Sequence, residues 1–316
     1  MNKPITVISV VGPTASGKTR LAVELAKHYE GEIISADSMQ IYRGMNIATA
    51  KPDSEEMQGI PHHLMDFLPP DGTYSVAMFV EDAKRCIFDI SGRGKLPIIA
   101  GGTGLYVDSL LGNIRFEGEG RDEKLTSELW DEYNADGIEP LLEKLRQVDS
   151  EAAERLAPGR NPKRVIRALE FYKTTGKTIT EQINESRLIP SPFKAVKIGL
   201  NFTDRQRLYD RIDLRVDSML ERGLIEEAKE VLNSPLSSTS SMAIGYKELA
   251  PYINGEASLE ACVEKLKRET RRYAKRQLTW FRRDKEINWL YADEYNSFEE
   301  LFAEAVKVTD KGLVYG

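Results

Sequence analysis

The sequence predicts an α/β fold, a parallel sheet core with helices on both faces, interrupted by an all-helical insertion domain. Three observations predict it. Short β-branched apolar runs alternate with helically spaced apolar residues from residue 5 to residue 101, as right-handed βαβ units require. Near residue 113 the texture turns strongly polar and helical, with no strand-like run. A strand pattern returns at 195–200, and helices are expected from there to the C-terminus.

The elements follow in order. Ile5–Val11 is a nearly uninterrupted apolar run, which suits a strand buried on both faces. From Lys18, apolar Leu21, Ala22, Leu25, Ala26 and Tyr29 recur at helical spacing, and Gly31 closes the helix. A second strand covers 32–36 and ends at Asp37. Apolar residues at 76, 79, 80, 83, 87 and 90 mark a helix capped by Gly92. A third strand over 96–100 runs into Gly101-Gly102-Thr103-Gly104. Pro158, Gly159 and Pro162 punctuate the polar stretch, and Gly176 ends another helix in it. The expected domains are therefore 1–114 with 192–316 as the core, and 115–191 as the helical insertion.

The length of 316 residues exceeds the usual size of one core, consistent with that division. The chain is 41% apolar, 30% charged and 8% aromatic, which excludes a disordered or collagen-like protein. With 44 Lys+Arg against 50 Asp+Glu, the net charge of −6 argues against a non-specific coat for nucleic acid. It leaves room for a local basic site. Cys86 and Cys262 are far apart and read as small core hydrophobes in a reducing compartment. No apolar run approaches the ~18 residues of a membrane span, and the apolar N-terminal stretch is too short for a signal peptide. A cytoplasmic protein is expected.

Gly12-Pro13-Thr14-Ala15-Ser16-Gly17-Lys18-Thr19 matches G-x-x-x-x-G-K-[ST]. It follows a predicted strand and opens a predicted helix, so the core is expected to be P-loop NTPase-like. Backbone N–H groups would converge on phosphate oxygens at a helix N-terminus. Lys18 would neutralise the outer phosphate, and the Thr19 hydroxyl would hold Mg²⁺. The loop alone does not choose among NTPases, kinases and other diphosphate users.

Ligands of an open parallel sheet collect outside the carboxyl ends of its strands. Asp37 comes early for a metal-binding carboxylate of the Walker-B type. It is better placed to accept a proton from an attacking hydroxyl or amine, with a turn cap as the plainer reading. Gly101-Gly102 reads as close backbone approach, with Thr103 as a donor in the pocket. The adjacent His62 and His63 diverge and make a poor metal pair, so a structural or substrate-orienting role is expected.

Two basic segments interrupt the acidic background. Lys267, Arg268, Arg271, Arg272, Lys275, Arg276, Arg282 and Arg283 crowd one stretch, with Tyr273, Trp280 and Phe281 interleaved. Arg155, Arg160, Lys163, Arg164, Arg167, Lys173 and Lys177 form the other. Such runs are usually solvated faces, but two of them on an acidic chain look like phosphate-backbone contacts with stacking groups nearby.

GPTASGKT, ADSMQIYRGMNIATAKP, PHHLMD, IIAGGTGLY, NPKRVIRALE, RIDLRVDSML, AIGYKE and RQLTWFRR occur in one order between Val10 and Arg283. In this combination the chain resembles the bacterial tRNA dimethylallyltransferases. The resemblance implies that the loop holds dimethylallyl diphosphate rather than ATP. It further implies Mg²⁺-dependent transfer of the allyl group to N6 of the adenosine 3′ to the anticodon. It makes Asp37 the general base, with Thr103 near the target base and Arg215 reaching the diphosphate. Gly12 and Thr14, Ala15, Ser16, Gly17, Lys18 and Thr19 become the diphosphate cradle. Asp37, Ser38, Met39 and Gln40, with Lys163, Arg164 and Arg167, become tRNA contacts. Arg271, Lys275, Arg276 and Arg282 are added from the second basic segment. A monomer is expected, without the zinc-finger extension of eukaryotic relatives. Competing readings are an adenylate isopentenyltransferase using free adenine nucleotide, a small-molecule kinase with Asp37 as base, and a nucleotide-switched RNA-binding protein.

Overall fold

The computed structural model describes residues 3–116 and 122–314, and the chain forms two compact units, 1–111 with 192–316, and 112–191. The first unit begins with β1 (Ile5–Val11), α1 (Lys18–His28), β2 (Glu32–Ser35), α2 (Ser54–Met57) and β3 (His62–His63). α3 (Val76–Gly92), β4 (Pro97–Gly101) and α4 (Gly104–Leu111) follow. The second unit holds α5 (Glu123–Asp136), α6 (Glu139–Val148), α7 (Ser150–Leu156), α8 (Pro162–Thr175) and α9 (Ile179–Arg187). The chain then returns through β5 (Phe193–Asn201), α10 (Arg205–Glu221), α11 (Leu224–Leu232) and α12 (Tyr246–Ile253). It closes with α13 (Leu259–Phe281), β6 (Asn288–Tyr291) and α14 (Phe298–Val314).

The fold is α/β, and among the described residues six strands, all parallel, run in the order β3-β2-β4-β1-β5-β6. Alternation along β1 explains its uninterrupted apolar run. Ile8 and Val10 pack with Leu21 and Leu25 of α1 and Leu301 of α14 on one face. Val7 and Val11 pack on the other face among Phe79 and Ile87 of α3, Leu110 of α4 and Phe281 of α13. Each fully buried aliphatic side chain of these layers stabilises the fold by roughly 1.5–3 kcal/mol.

Sequence reasoning missed two strands, and both are edges. β6 interrupts what was expected to be helix from 201 onward. Its four residues, Asn288–Tyr291, pair only with β5 and bury only Leu290 deeply. β3 is two residues long, so it has no period to read. The second unit has its own core, in which Leu129, Leu141, Leu142, Leu145, Val165 and Leu169 are buried. Pro162 opens α8, and Gly176 ends it in the left-handed conformation (φ +73°). No helix among the described residues is long and apolar enough to cross a membrane.

Candidate active site

The register aligns the ends of three strands. Val11 of β1 stands opposite Gly101 of β4, and Ala100 stands opposite Ser35 of β2. Gly12, Asp37 and Gly102 therefore lie just beyond the carboxyl ends of their strands, the end of the sheet at which such folds bind ligands.

At β1 the backbone turns sharply. Gly12 has φ +153°, and a Cβ there would meet the Leu200 carbonyl oxygen at 2.4 Å. Ala15 (φ +61°) and Gly17 (φ +96°) complete the turn. Alanine rarely adopts this left-handed conformation. Here Arg211 Nε holds it, donating to the Ala15 carbonyl at 2.9 Å. α1 begins at Lys18 without a side-chain cap, so its first N–H groups face outward unsatisfied, which suits an anion. Lys18 Nζ donates to the Pro13 carbonyl at 3.3 Å. Burial, and after it the charge of Arg215, push the Lys18 ammonium down to about 8, with Asp37 acting in the opposite direction. Arg215 donates to the Thr14 hydroxyl at 3.3 Å, and burial lowers its own basicity.

At β2, Asp37 Oδ1 accepts from the Met39 N–H at 2.9 Å, so the residue does cap a turn. It also lines the cavity described below, so turn cap and site residue are one arrangement. Ser38 N–H donates to the Thr103 hydroxyl at 3.0 Å, and Thr103 N–H donates to the Ala36 carbonyl at 3.1 Å. The Thr103 hydroxyl itself donates to Ser38 Oγ at 3.3 Å, so it joins the ends of β2 and β4. The Gln40 amide is bound to Ser35 Oγ and to the carbonyls of Thr49 and Ala50, holding the 46–50 loop from one side. Glu227 holds that loop from the other, accepting N–H groups of Asn46, Ile47 and Ala48 at 2.7–3.0 Å.

The glycines after β4 mark close approach. A Cβ at Gly101 would meet the Ala36 carbonyl oxygen at 2.2 Å, at Gly102 it would meet Gln277 Nε2 at 2.1 Å, and at Gly104 the Trp280 ring at 2.1 Å. At Gly102 and Gly104 the approaching element is α13. Tyr273, Gln277 and Trp280 recur on one face of it at helical spacing. Sequence reasoning read Tyr273 and Trp280 only as aromatics within a basic run and passed over Gln277. The available signal was the i, i+4, i+7 spacing opposite a glycine-rich loop. Burial and the neighbouring Asp37 push the Tyr273 hydroxyl pKa upward.

Gly101, Tyr273 and Gln277 line a cavity of about 280 Å³, whereas Thr103, expected as a donor in the pocket, is not among its lining residues. Its polar wall includes Thr14, Lys18, Thr19, Asp37, Ser38, Arg215, Tyr273, Arg276 and Gln277, and Met39, Met219, Leu224, Ile244 and Leu266 are among its apolar residues. A second cavity of about 480 Å³ shares Lys18, Thr19 and Arg215 with the first. It adds Arg20, Lys51, Arg211 and Arg222, with Glu56 as its acid. Two cavities thus meet at the loop between β1 and α1. His62 also lines the first cavity. Its Nδ1 bonds the Ile60 carbonyl at 2.8 Å, and burial lowers its basicity. His63 is elsewhere, bonded to Glu32, which Arg93 and Lys95 also bind.

Among the described residues, no three His, Cys, Asp or Glu side chains cluster as a metal site. A cation here would take its ligands from phosphate oxygens and water, with one hydroxyl from the protein. Mg²⁺ would fit that donor set, and Thr19, which carries such a hydroxyl, lines both cavities.

The basic segments are largely paired. In α13, Lys267 binds Asp217 at 2.7 Å, Arg271 binds Asp213 at 2.6 Å and Arg272 binds Glu269 at 2.6 Å. Arg283 lies 4.0 Å over the Trp280 ring and 3.6 Å from Asp108. Lys275 and Arg282 are exposed, and exposed Arg276 lies against Tyr273 and lines the cavity. In the second unit, Arg160 pairs with Glu139 and Arg167 with buried Glu170, while Lys163 and Arg164 are exposed on α8.

Residues 40–284 match the family model for IPP transferase, and residues 5–67 match that for isopentenyl transferase. The tRNA dimethylallyltransferase of Thermoanaerobacter sp. (strain X514) is 48% identical over 307 residues, covering 96% of this chain and 97% of that protein. That of Oceanobacillus iheyensis is also 48% identical, covering 90% of each chain. The fold is similar to the crystal structure of the full-length tRNA isopentenylpyrophosphate transferase from Bacillus halodurans. That similarity has a TM-score of 0.73 at 43% identity, over 99% of this chain and 98% of that one. A eukaryotic dimethylallyltransferase acting on tRNA superposes with a TM-score of 0.78 at 32% identity, over 91% of this chain and 74% of that one. At this identity and coverage, the chain belongs to the tRNA dimethylallyltransferase family.

Proposed function

We propose that the protein transfers the dimethylallyl group of dimethylallyl diphosphate to N6 of the adenosine 3′ to the anticodon in tRNA, releasing diphosphate. The observation that carries this reading is one cavity lined both by a carboxylate, Asp37, and by the cations Lys18 and Arg215. An adenine amine is a weak nucleophile. As N6 attacks C1 of the allyl group, the C1–O bond breaks and its electron pair leaves with the diphosphate. Asp37 takes the proton that N6 loses. Lys18, Arg215 and the N–H groups at the start of α1 meet the charge that develops on the leaving group. Mg²⁺ on Thr19 would supply further neutralisation of that charge. The apolar side formed by Met219, Leu224, Ile244 and Leu266 keeps water from the allyl carbon.

The target base must leave its stack to enter such a cavity, at a cost of a few kcal/mol that is least in an unpaired loop. Exposed Lys163, Arg164, Lys275, Arg276 and Arg282 are the groups for phosphate contacts. Family membership favours tRNA over a free adenine nucleotide and favours prenyl transfer over phosphoryl transfer. The test mixes the protein as a monomer with Mg²⁺, dimethylallyl diphosphate and unmodified tRNA, then measures nucleoside mass. One C5 increment on adenosine is expected. Prenylation of AMP alone, or an ATP-dependent phosphorylated product, would overturn the reading.

A further inference from the structure

We propose that Gln277 is a positioning residue that sets the diphosphate loop against the acceptor end of the sheet. The proposal rests on the transferase reading above. The Gln277 amide is used at both of its ends. Oε1 accepts the Thr14 N–H at 2.8 Å, and Nε2 donates to the Gly102 carbonyl at 3.0 Å. Those two groups belong to the loops that leave β1 and β4, neighbouring strands in the sheet. Gln277 is 5% exposed, so losing its side-chain amide would leave largely buried backbone groups without that partner.

Each loop passes the constraint on. Thr14 accepts from Arg215 through its hydroxyl, the cation that meets the leaving group. Thr103, next to Gly102, accepts the N–H of Ser38, the residue beside Asp37. One amide on α13 therefore lies between the residue that holds the leaving group and the residue that meets N6. The glycine at 102 is part of the same device, because a Cβ there would lie 2.1 Å from Gln277 Nε2. Transfer requires N6, C1 and the departing oxygen to stay in line, and a displacement of about 1 Å can cost roughly 100-fold in rate.

Two variants separate this role from simple packing. Gln277→Met keeps the volume and loses both bonds. Gln277→Glu keeps an acceptor for Thr14 but has no donor for Gly102. Steady-state and single-turnover transfer to tRNA are measured with Mg²⁺ and dimethylallyl diphosphate, alongside helix content by circular dichroism. Gln277→Met is expected to lower kcat at least about tenfold while both KM values stay within about threefold, with Gln277→Glu intermediate. Unchanged kcat, a change confined to KM, or a loss explained by the unfolded fraction would each overturn the proposal. So would failure of both variants to fold. Absence of transfer by the wild-type protein would overturn the activity and this assignment together, whereas equal transfer by wild type and variants overturns the assignment alone.

Discussion

Lys18 has to carry charge in a place that resists it. Burial and Arg215 bring its pKa down to about 8, so in the free protein it is protonated below that pH and neutral above it. An anion favours the protonated form, so affinity for inorganic diphosphate should hold below pH 8 and fall as the pH rises through it. Calorimetric titration from pH 7 to 9.5 checks this, and a flat profile would contradict it. Arg215→Gln removes the second cause, so the fall should move to higher pH. Asp37 admits a cleaner substitution. Asn retains the oxygen that accepts the Met39 N–H and so keeps the turn, but it cannot take a proton from N6. Asp37→Asn should slow single-turnover transfer by about 10²- to 10⁴-fold, with tRNA affinity within about threefold. The motif residues around Lys18 were legible because eight positions and both flanking elements agree. Gln277 was not, since its partners lie 263 and 175 positions away in the chain.

Among the elements, α13 changes most between sequence and structure. As a string it is a basic run with aromatics. As a helix it turns Tyr273, Gln277 and Trp280 toward the strand ends and commits Lys267 and Arg271 to Asp217 and Asp213 of α10. Replacing both Lys275 and Arg282 by Ala should weaken tRNA binding and flatten its dependence on salt, by about one unit of slope for each phosphate no longer neutralised. Arg271→Ala should leave that slope unchanged, because its charge is already matched by Asp213. Filter binding over a salt series distinguishes them. The packing of α13 is tested at Gly104. Gly104→Ala forces the Trp280 ring to move and should cost about 1–3 kcal/mol in thermal unfolding. The central strands were legible from their apolar runs, whereas edge strands β3 and β6 are short and half-covered, so they carry no pattern.

At the level of the whole molecule, a net charge of −6 and a nucleic-acid substrate are compatible because many basic side chains, in the two basic segments above all, are matched by nearby acids. Among the described residues, Lys163 and Arg164 on α8 and Lys275 and Arg282 in the other segment are exposed cations outside these pairs. The helical unit 112–191 holds a separate core in which Leu142 is 3% exposed. Leu142→Ala should cost that unit about 2–5 kcal/mol and broaden or split calorimetric unfolding, rather than shift one transition uniformly. The sequence by itself determined the α/β class, the glycine-rich loop between a strand and a helix, and the strand-end position of Asp37, because each is written in contiguous residues whose spacing obeys a local period. Only the tertiary structure decided which charges remain free, which helix closes the site, and that Asp37, Lys18 and Arg215 line one cavity. Those facts depend on pairings between residues far apart in the chain, and no local period encodes them.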